Sequence, residues 1–279
     1  MNKYENIASL YKLENFIEEG GNRLTHNEKD NFPFLTIITV VKNSSNSIES
    51  TIKSVISQKY KNYEYIVIDG NSTDGTLEKI KSYEKEINYW CSINDKGIYD
   101  AMNYGLKLAR GDVIGIINSG DLFTENSFKI VNQYFENNEN ISYLFGTVER
   151  HYLGNNIILK SGYDKKRIKY NFDAQTCHSS GFFIKSSVQK TIGLYNLKYK
   201  CSSDYNLFYK LFDNENFIGK STAKDEIIGI VEPGGFSSKY GYWNRLKEEM
   251  QIRIDNEQNS LLVLLIFINS IFKNFIKKL

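Results

Sequence analysis

The sequence predicts an α/β protein with a mainly parallel sheet that carries helices on both faces. Runs dense in β-branched apolar residues, such as LTIITVV at 35–41 and YEYIVID at 63–69, are typical of strands buried on both faces. Amphipathic segments of helical length separate these runs. Strands that alternate with helices form βαβ units, whose strands lie parallel in one sheet.

The regular alternation begins at Leu35. Predicted strands cover 35–41, 63–69, 87–93, 112–118 and 141–148, and predicted helices cover 48–58, 77–85, 98–109 and 125–135. In the first helix Ile48, Ile52 and Val55 recur at the spacing that puts them on one face. Residues 150–255 are less regular: we expect a strand at 181–184, helices from 186 and at 203–212, and a glycine-rich turn at 232–238.

Residues 1–33 are interpreted as a leader with one short amphipathic helix, on which Leu10, Leu13, Phe16 and Ile17 share a face. The N-terminus has no uninterrupted apolar core, so it does not resemble a signal peptide. The predicted organisation is a helical leader at 1–33, a main domain at 34–240 and a C-terminal helical tail at 241–279.

Composition excludes several classes of protein. The 35 basic and 33 acidic residues leave a net charge of +2, which argues against a dedicated nucleic-acid binder. Cys91, Cys177 and Cys201 are widely spaced and form no CxxC pair, so a disulfide framework or a zinc site is not expected. A reducing, cytoplasmic compartment fits this cysteine usage.

The longest apolar run is LLVLLIFINSIF at 261–272, followed by Lys273, Lys277 and Lys278. It is shorter than the roughly 20 residues that a membrane-spanning helix needs. Such a run can lie in a membrane interface beside anionic lipid, or it can pack on the domain or on a second subunit. The lysines and the apolar density favour peripheral membrane contact through 261–279, and the sequence leaves the oligomeric state open.

Ligands of parallel sheets bind outside the carboxyl ends of the strands. Four loops are predicted there: 42–46, 69–76, 94–98 and 118–121. Asp69 ends its strand and can accept hydrogen bonds from a nucleobase or a ribose, whereas Thr73 and Asp74 suit a helix N-cap. The chain has no GxGxxG and no GxxxxGK[ST] motif, so dinucleotide and P-loop sites are not indicated.

Three further features can carry chemistry, and each has a plain structural alternative. Asp121 in NSGD can bind Mg²⁺ or Mn²⁺ together with substrate phosphates, or the segment is an ordinary polar turn. Asp204 precedes a helix and can act as a general base or only as a cap. His178 lies in a small polar segment and can bind metal or phosphate or serve the fold.

These loops, in this order, resemble the family 2 glycosyltransferases, which have the GT-A fold and bind nucleotide sugars. The resemblance is carried by residues 36–76 and more strongly by NDKGIYDAMNYGLKLARGDVIGIINSGD at 94–121. The resemblance extends over about residues 34–240. Within the family, the sequence is similar to bacterial enzymes that build surface polysaccharides of the colanic-acid and O-antigen type. It implies an inverting, metal-dependent transfer of sugar from a nucleotide-diphosphate donor, with UDP-sugars favoured, to a saccharide acceptor linked to polyprenyl diphosphate.

The resemblance also implies roles for single residues. Asp204 corresponds to the catalytic base, and Asp121 to the last acid of a DXD-type motif that binds Mn²⁺ or Mg²⁺. The implied nucleotide-binding residues are Thr39, Val41, Asp69, Asp95 and Lys96, with Asn103 holding the 94–98 loop. The implied donor and acceptor residues are Asn118, Ser119, Gly120, His178 and the late glycine turn with Glu232, Gly234, Gly235 and Ser237.

Two departures from the family pattern bear on the site. Gly70 stands where a second consecutive acid is frequent, and NSGD leaves one carboxylate for the metal. A nucleotidyltransferase that makes nucleotide sugars is an alternative, although the first loop, VVKNSSNS, lacks the expected glycines. An inactive sugar- or lipid-binding partner of a polysaccharide assembly complex is another alternative, against which the joint presence of Asp69, Asp121 and Asp204 argues.

Overall fold

The computed structural model describes residues 15–24, 34–152, 156–170, 179–235 and 240–276. In its first half the strands are β1 (Phe16–Gly20), β2 (Leu35–Val41), β3 (Tyr63–Asp69), β4 (Tyr89–Ile93), β5 (Val113–Asn118), β6 (Leu122–Phe123) and β7 (Tyr143–Phe145). The helices of this half are α1 (Ile48–Ile56), α2 (Thr76–Ser82), α3 (Ile98–Leu108) and α4 (Ser127–Glu136). The predicted alternation is therefore confirmed, with small changes at the ends of the elements.

The second half adds five strands: β8 (Thr147–Tyr152), β9 (Asn156–Lys160), β10 (Phe182–Lys185), β11 (Gly219–Ser221) and β12 (Ile227–Val231). Its helices are α5 (Lys165–Tyr170), α6 (Ser186–Ile192), α7 (Ser203–Asp213), α8 (Tyr242–Asp255) and α9 (Ser260–Ile276). The predicted strand and helices around 181–212 and the helical C-terminal segment are present.

The larger sheet has the order β1-β4-β3-β2-β5-β10-β7-β11, and the smaller one has the order β6-β12-β8-β9. The four neighbouring strands β4, β3, β2 and β5 are parallel. Side chains alternate between two cores: Ile38 and Val40 pack with apolar residues of α3 and α7, while Ile37 and Val41 pack with those of α1 and α4. Helices therefore cover both faces of the sheet, as predicted.

Two sequence predictions about elements are wrong. Phe16 and Ile17, assigned to a leader helix, lie in β1, which pairs antiparallel with β4; Leu10 and Leu13 lie outside the described residues. The run 141–148 is also not one strand. It breaks at Gly146, where the chain passes from the larger sheet into the smaller one. Gly146 packs closely at this point, because an added Cβ would lie 1.8 Å from Ile228 Cδ1.

Candidate active site

The loops that follow β2 and β3 are joined by hydrogen bonds at the carboxyl edge of the sheet. Asn43 accepts a hydrogen bond from Thr73 N at 2.9 Å and donates its own N–H to Ser72 Oγ at 2.8 Å. Ser45 N donates to Asp74 Oδ2 at 2.9 Å. Asn43 has a φ of +48°, a left-handed conformation that asparagine tolerates better than most residues. The two loops form one continuous polar rim.

Asp74 has the structural role that the sequence favoured. Its carboxylate also accepts the N–H of Thr76, the first residue of α2, at 3.1 Å. The Thr76 hydroxyl and the neighbouring amides hold the pKa of Asp74 at about 2. Asp74 therefore stays ionised at neutral pH and fixes the entry to α2.

Asp69 is fully buried at the end of β3. Its Oδ2 accepts hydrogen bonds from Ser92 Oγ at 2.7 Å and from Ser72 N at 3.1 Å, whereas no hydrogen-bond partner for its Oδ1 is found in the described part of the chain. Because Asp69 is buried, its evident role here is to fix the loop after β3. A contact with the base or ribose remains a prediction.

Asp95 fills the space beside Gly70. A Cβ added at Gly70 would lie 2.3 Å from Asp95 Oδ2 and 3.3 Å from Lys42 Cδ. The Asp95 carboxylate accepts the Gly97 N–H at 2.9 Å, and burial raises its pKa, with the Lys42 charge opposing that rise. The space that a second acid at position 70 would take is thus occupied by a carboxylate from the 94–98 loop. Lys96 is exposed beside it.

Asp121 lies buried in the turn that follows β5. The hydroxyl of Thr51, in α1, fixes that turn through two hydrogen bonds. Its Oγ1 accepts the Gly120 N–H and donates to the Asp121 carbonyl, each at 2.9 Å. Ser119 Oγ lies 3.2 Å from Ser47 Oγ, and Asn118 is the last residue of β5. The NSGD segment is therefore an anchored turn at the same edge as Asp69 and Asp95.

The chemistry of this turn fits a hard divalent cation in part. Asp121 and Asn118 offer oxygen donors, the kind that Mg²⁺ and Mn²⁺ prefer. Within the described ranges no group of three or more His, Cys, Asp or Glu side chains is placed to hold a metal alone. An ion here would need oxygens from a bound diphosphate to complete its coordination.

Asp204 is exposed in the first turn of α7. Its Oδ1 accepts the Tyr99 hydroxyl at 3.0 Å and the Tyr205 N–H at 2.9 Å. Tyr99 is the second residue of α3, directly after the 94–98 loop, so this contact brings Asp204 to the edge that carries Asp95. Tyr99 was not predicted as a site residue, since nothing in a single sequence separates it from the chain's other tyrosines.

Three predicted nucleotide-binding residues have other contacts. Asn103 does not hold the 94–98 loop: its amide exchanges two hydrogen bonds with the backbone of Tyr195, at 2.9 and 2.8 Å. Thr39 is buried within the sheet, where its hydroxyl lies 2.9 Å from Tyr65 OH, so its side chain is not at the strand ends. Val41 is also buried, but its carbonyl accepts the Gly70 N–H at 2.8 Å at the rim.

The late glycine turn is described in part. Gly234 has a φ of +95°, and both Gly234 and Gly235 are exposed. Glu232 Oε1 lies 3.0 Å from His151 Nδ1 of β8, a contact that links the turn to the smaller sheet. His178 and Ser237 lie outside the described residues, so their predicted roles stay predictions.

Residues 36–192 match the sequence model of the family described as Glycosyl transferase family 2. The chain is 39% identical over 93 residues to an uncharacterized glycosyltransferase of Mycobacterium tuberculosis, an alignment that covers 33% of this chain and 36% of that protein. The chain thus spans about a third of that relative's length. It is 26% identical over 208 residues to the Escherichia coli protein named UDP-Glc:alpha-D-GlcNAc-diphosphoundecaprenol beta-1,3-glucosyltransferase WfgD, with 74% and 76% of the two chains covered.

Solved structures share the fold at low sequence identity. Staphylococcus aureus TarS 1-349 in complex with UDP-GlcNAc superposes with a TM-score of 0.63 at 16% identity and covers 84% of this chain and 70% of that one. The mannosyltransferase PcManGT of Pyrobaculum calidifontis, in complex with GDP-Man and Mn²⁺, gives a TM-score of 0.60 at 13% identity and covers 91% and 70%. The expected fold class is confirmed.

Proposed function

The chain belongs to glycosyl transferase family 2, and from this premise we propose that it transfers a sugar from a nucleotide-diphosphate donor to a saccharide acceptor. The observation that carries the proposal is the assembly of Asp69, Asp95 and Asp121 at one sheet edge, with Asp204 joined to that edge through Tyr99. Acids on consecutive strand-end loops suit a nucleotide and its diphosphate, while an exposed carboxylate on a separate helix suits activation of the acceptor.

The donor is a UDP-sugar in this proposal, and Asp95 takes the place of the missing second acid beside Gly70. Support comes from the UDP-glucosyl donor named for the relative WfgD and from the UDP-GlcNAc bound to TarS. Asp95 and Lys42 are near neighbours at the rim, and both face the space that a side chain at position 70 would take. Asp69 then acts mainly by holding the loop around this space.

The transfer is proposed to proceed with inversion, with Asp204 as the one base. The Asp204 carboxylate takes the proton of the acceptor hydroxyl while that oxygen bonds to the anomeric carbon. The bond from that carbon to the diphosphate breaks, and the nucleoside diphosphate leaves with the electron pair. One carboxylate and in-line attack distinguish this arrangement from glycosidases, which place two carboxylates about the bond. Mn²⁺ or Mg²⁺, held by Asp121 and Asn118, would offset the charge of the leaving diphosphate.

The acceptor is proposed to be a saccharide on polyprenyl diphosphate, in the synthesis of a bacterial surface polysaccharide. The diphosphoundecaprenol acceptor named for WfgD supports this class. Such an acceptor lies at the membrane, which agrees with peripheral contact through 261–279 at the cytoplasmic face of the inner membrane. No helix in the described ranges combines the length and the apolarity that crossing a membrane requires.

A donor screen tests the proposal. The full chain is incubated with UDP- and GDP-sugars, Mn²⁺ and an undecaprenyl-diphosphate-linked acceptor, and nucleoside diphosphate release is measured. We expect release from one or a few UDP-sugars and none above background from Asp204→Asn. Pyrophosphate release from sugar phosphate and nucleoside triphosphate would instead identify a nucleotidyltransferase. Donor binding without any turnover would identify an inactive binding partner.

A further inference from the structure

Helix α9 has two opposite apolar faces, and among the residues that the structure describes only one of these faces is covered. Val263 and Ile266 are 1% and 5% exposed, and α9 contacts α8, where the Tyr242 hydroxyl donates to the Ser270 carbonyl at 2.9 Å. The other face carries side chains that are 50–67% exposed: Leu261, Leu264, Leu265, Ile268, Phe272 and Phe275. At 3.6 residues per turn these six fall within an arc of about 100°, so the uncovered face is continuous.

The charges on α9 and just after its C-terminal end are positive. Helix α9 contains no Asp or Glu, and its one charged residue, Lys273, is exposed. The sequence continues with Lys277 and Lys278. Trp243 is 51% exposed and follows Tyr242, whose hydroxyl reaches Ser270, so this tryptophan lies near the lysine end of α9. Tryptophan and lysine beside an apolar face are the composition of helices that lie in a membrane interface.

We propose that α9 lies flat on an anionic bilayer, with its Leu261–Phe275 apolar face in the acyl boundary and Lys273 at the headgroups. Lysine near an anionic surface contributes about 1 kcal/mol of binding, whereas α9 of a second copy offers Lys273 no acidic partner, since that helix contains no Asp or Glu. The uncovered face also has no polar residue that would fix the register of a helix pair. A bilayer surface therefore fits this face better than a second copy.

Helix α8, on which α9 packs, also supports the loop that precedes Asp204. The Glu248 carboxylate of α8 accepts the backbone N–H groups of Lys200, Cys201 and Ser202 at 2.9, 2.9 and 3.0 Å. Asn256 donates to Asn206 of α7 at 3.0 Å. The bilayer-binding face and Asp204 are thus joined through α8. The idea that this connection through α8 serves a lipid-linked acceptor rests on the proposed function. Binding of α9 to the bilayer does not rest on it.

Vesicle binding tests the proposal without any glycosyl transfer. The full chain is sedimented with vesicles of phosphatidylcholine alone or with a third of phosphatidylglycerol. We expect binding to the anionic vesicles, at least a tenfold loss for Leu265→Gln/Ile268→Gln/Phe272→Gln, and about a fivefold loss for Lys273→Gln. The control is Ile157→Gln, which removes a side chain that is 57% exposed on β9 and should bind as the wild type does. Circular dichroism verifies that each variant is folded.

Three results would overturn the proposal: no binding of the wild type to anionic vesicles, equal binding to neutral ones, or undiminished binding of the triple variant. A wild-type dimer that the triple variant converts to monomer, with no vesicle binding, would assign the face to a second copy. Activity towards a short water-soluble acceptor separates the two proposals. This activity should persist in the triple variant. If the wild type itself had no such activity, that result would contradict the proposed function and not the proposed membrane binding.

Discussion

The Tyr99 hydroxyl lies 3.0 Å from Asp204 Oδ1 and 2.7 Å from the Cys201 carbonyl, and it joins residues 105 positions apart in the chain. Burial raises the pKa of Tyr99 well above its ordinary value, and the nearby Asp204 charge raises it further. The phenol therefore remains a neutral donor at physiological pH. One proton faces two acceptors, so Tyr99 orients the Asp204 carboxylate and the loop before it together.

Tyr99→Phe should lower kcat by about ten- to a hundredfold, because a hydrogen bond to a charged group contributes about 1.5–3 kcal/mol and about 1.4 kcal/mol corresponds to a factor of ten in rate. KM for the donor should change little, since the nucleotide contacts remain. Steady-state kinetics with varied donor measure both constants. Tyr65→Phe is the control, as it removes another buried tyrosine hydroxyl, one that lies 2.9 Å from Thr39 Oγ1 within the sheet. Equal losses in the two variants would contradict a positioning role for Tyr99.

Asp204→Asn should fold and bind donor but lose transfer by at least a factor of about 100, the lower range for loss of a general base. The side chain is exposed, so the substitution leaves no buried charge behind. Donor affinity by calorimetry and turnover by diphosphate release separate the two effects. Asp213→Asn, at the other end of α7, serves as the control. Wild-type turnover in Asp204→Asn would show that the base is another residue.

Asp121→Ala should weaken nucleotide binding in Mn²⁺ and have little effect in EDTA. The side chain is the one carboxylate of the NSGD turn, so its removal leaves the ion with neutral protein ligands only. Isothermal titration with UDP in the two buffers measures the difference. The control is Asp112→Ala, because Asp112 precedes the opposite end of β5. This variant should bind UDP as the wild type does. Unchanged affinity of Asp121→Ala in Mn²⁺ would remove this residue from the metal site.

Gly70→Asp should weaken UDP binding severalfold and lower the free energy of unfolding by about 1–3 kcal/mol, the usual range for overpacking. Its Cβ would lie 2.3 Å from Asp95 Oδ2, and a second carboxylate would add to a site where burial already raises the pKa of Asp95. In the double variant Gly70→Asp/Asp95→Gly the aspartate at position 70 should be tolerated, and UDP binding should recover. Urea unfolding and UDP titration measure the coupling, and strictly additive effects would contradict it.

Asp74→Asn should lower the melting temperature near pH 6 and clearly less near pH 2, where the carboxylate is partly protonated. Hydrogen bonds from Thr76 and Ser45 hold the pKa of Asp74 at about 2, below its ordinary 3.8. A depressed pKa adds stability above pH 4 that is lost as the pH falls towards 2. The difference should stay below about 1 kcal/mol because the residue is exposed. Melting curves of both proteins from pH 2 to 7 measure it, and a gap as large at pH 2 as at pH 6 would have another cause.

The central fold could be predicted because its signal is local. Apolar β-branched runs such as 35–41 and 63–69 must be buried on both faces, and a turn after each run leads into an amphipathic helix. The direction of such strands then places their following loops at one edge. For that reason the loops with Asp69, Asp95 and Asp121 could be identified from the sequence.

Pairings between distant segments could not be predicted in the same way. Phe16 and Ile17 have helical spacing, yet they complete the sheet against β4, since an edge strand offers free hydrogen-bonding groups that outweigh a weak local preference. The resemblance implies that Asn103 holds the 94–98 loop, but its amide makes two hydrogen bonds with the backbone of Tyr195. The close packing at Gly146 involves Ile228, which lies 82 positions further along the chain.

The sequence by itself therefore determined the parallel α/β core, the sheet edge that carries the strand-end loops and the acids that lie there, because period, turn chemistry and strand direction are local properties. The tertiary structure decided that Asp95 fills the space beside Gly70, that Tyr99 reaches Asp204, and that α9 leaves an apolar face uncovered. Each of these depends on side chains that only folding brings together, so their distances and exposure cannot be obtained from spacing along the chain.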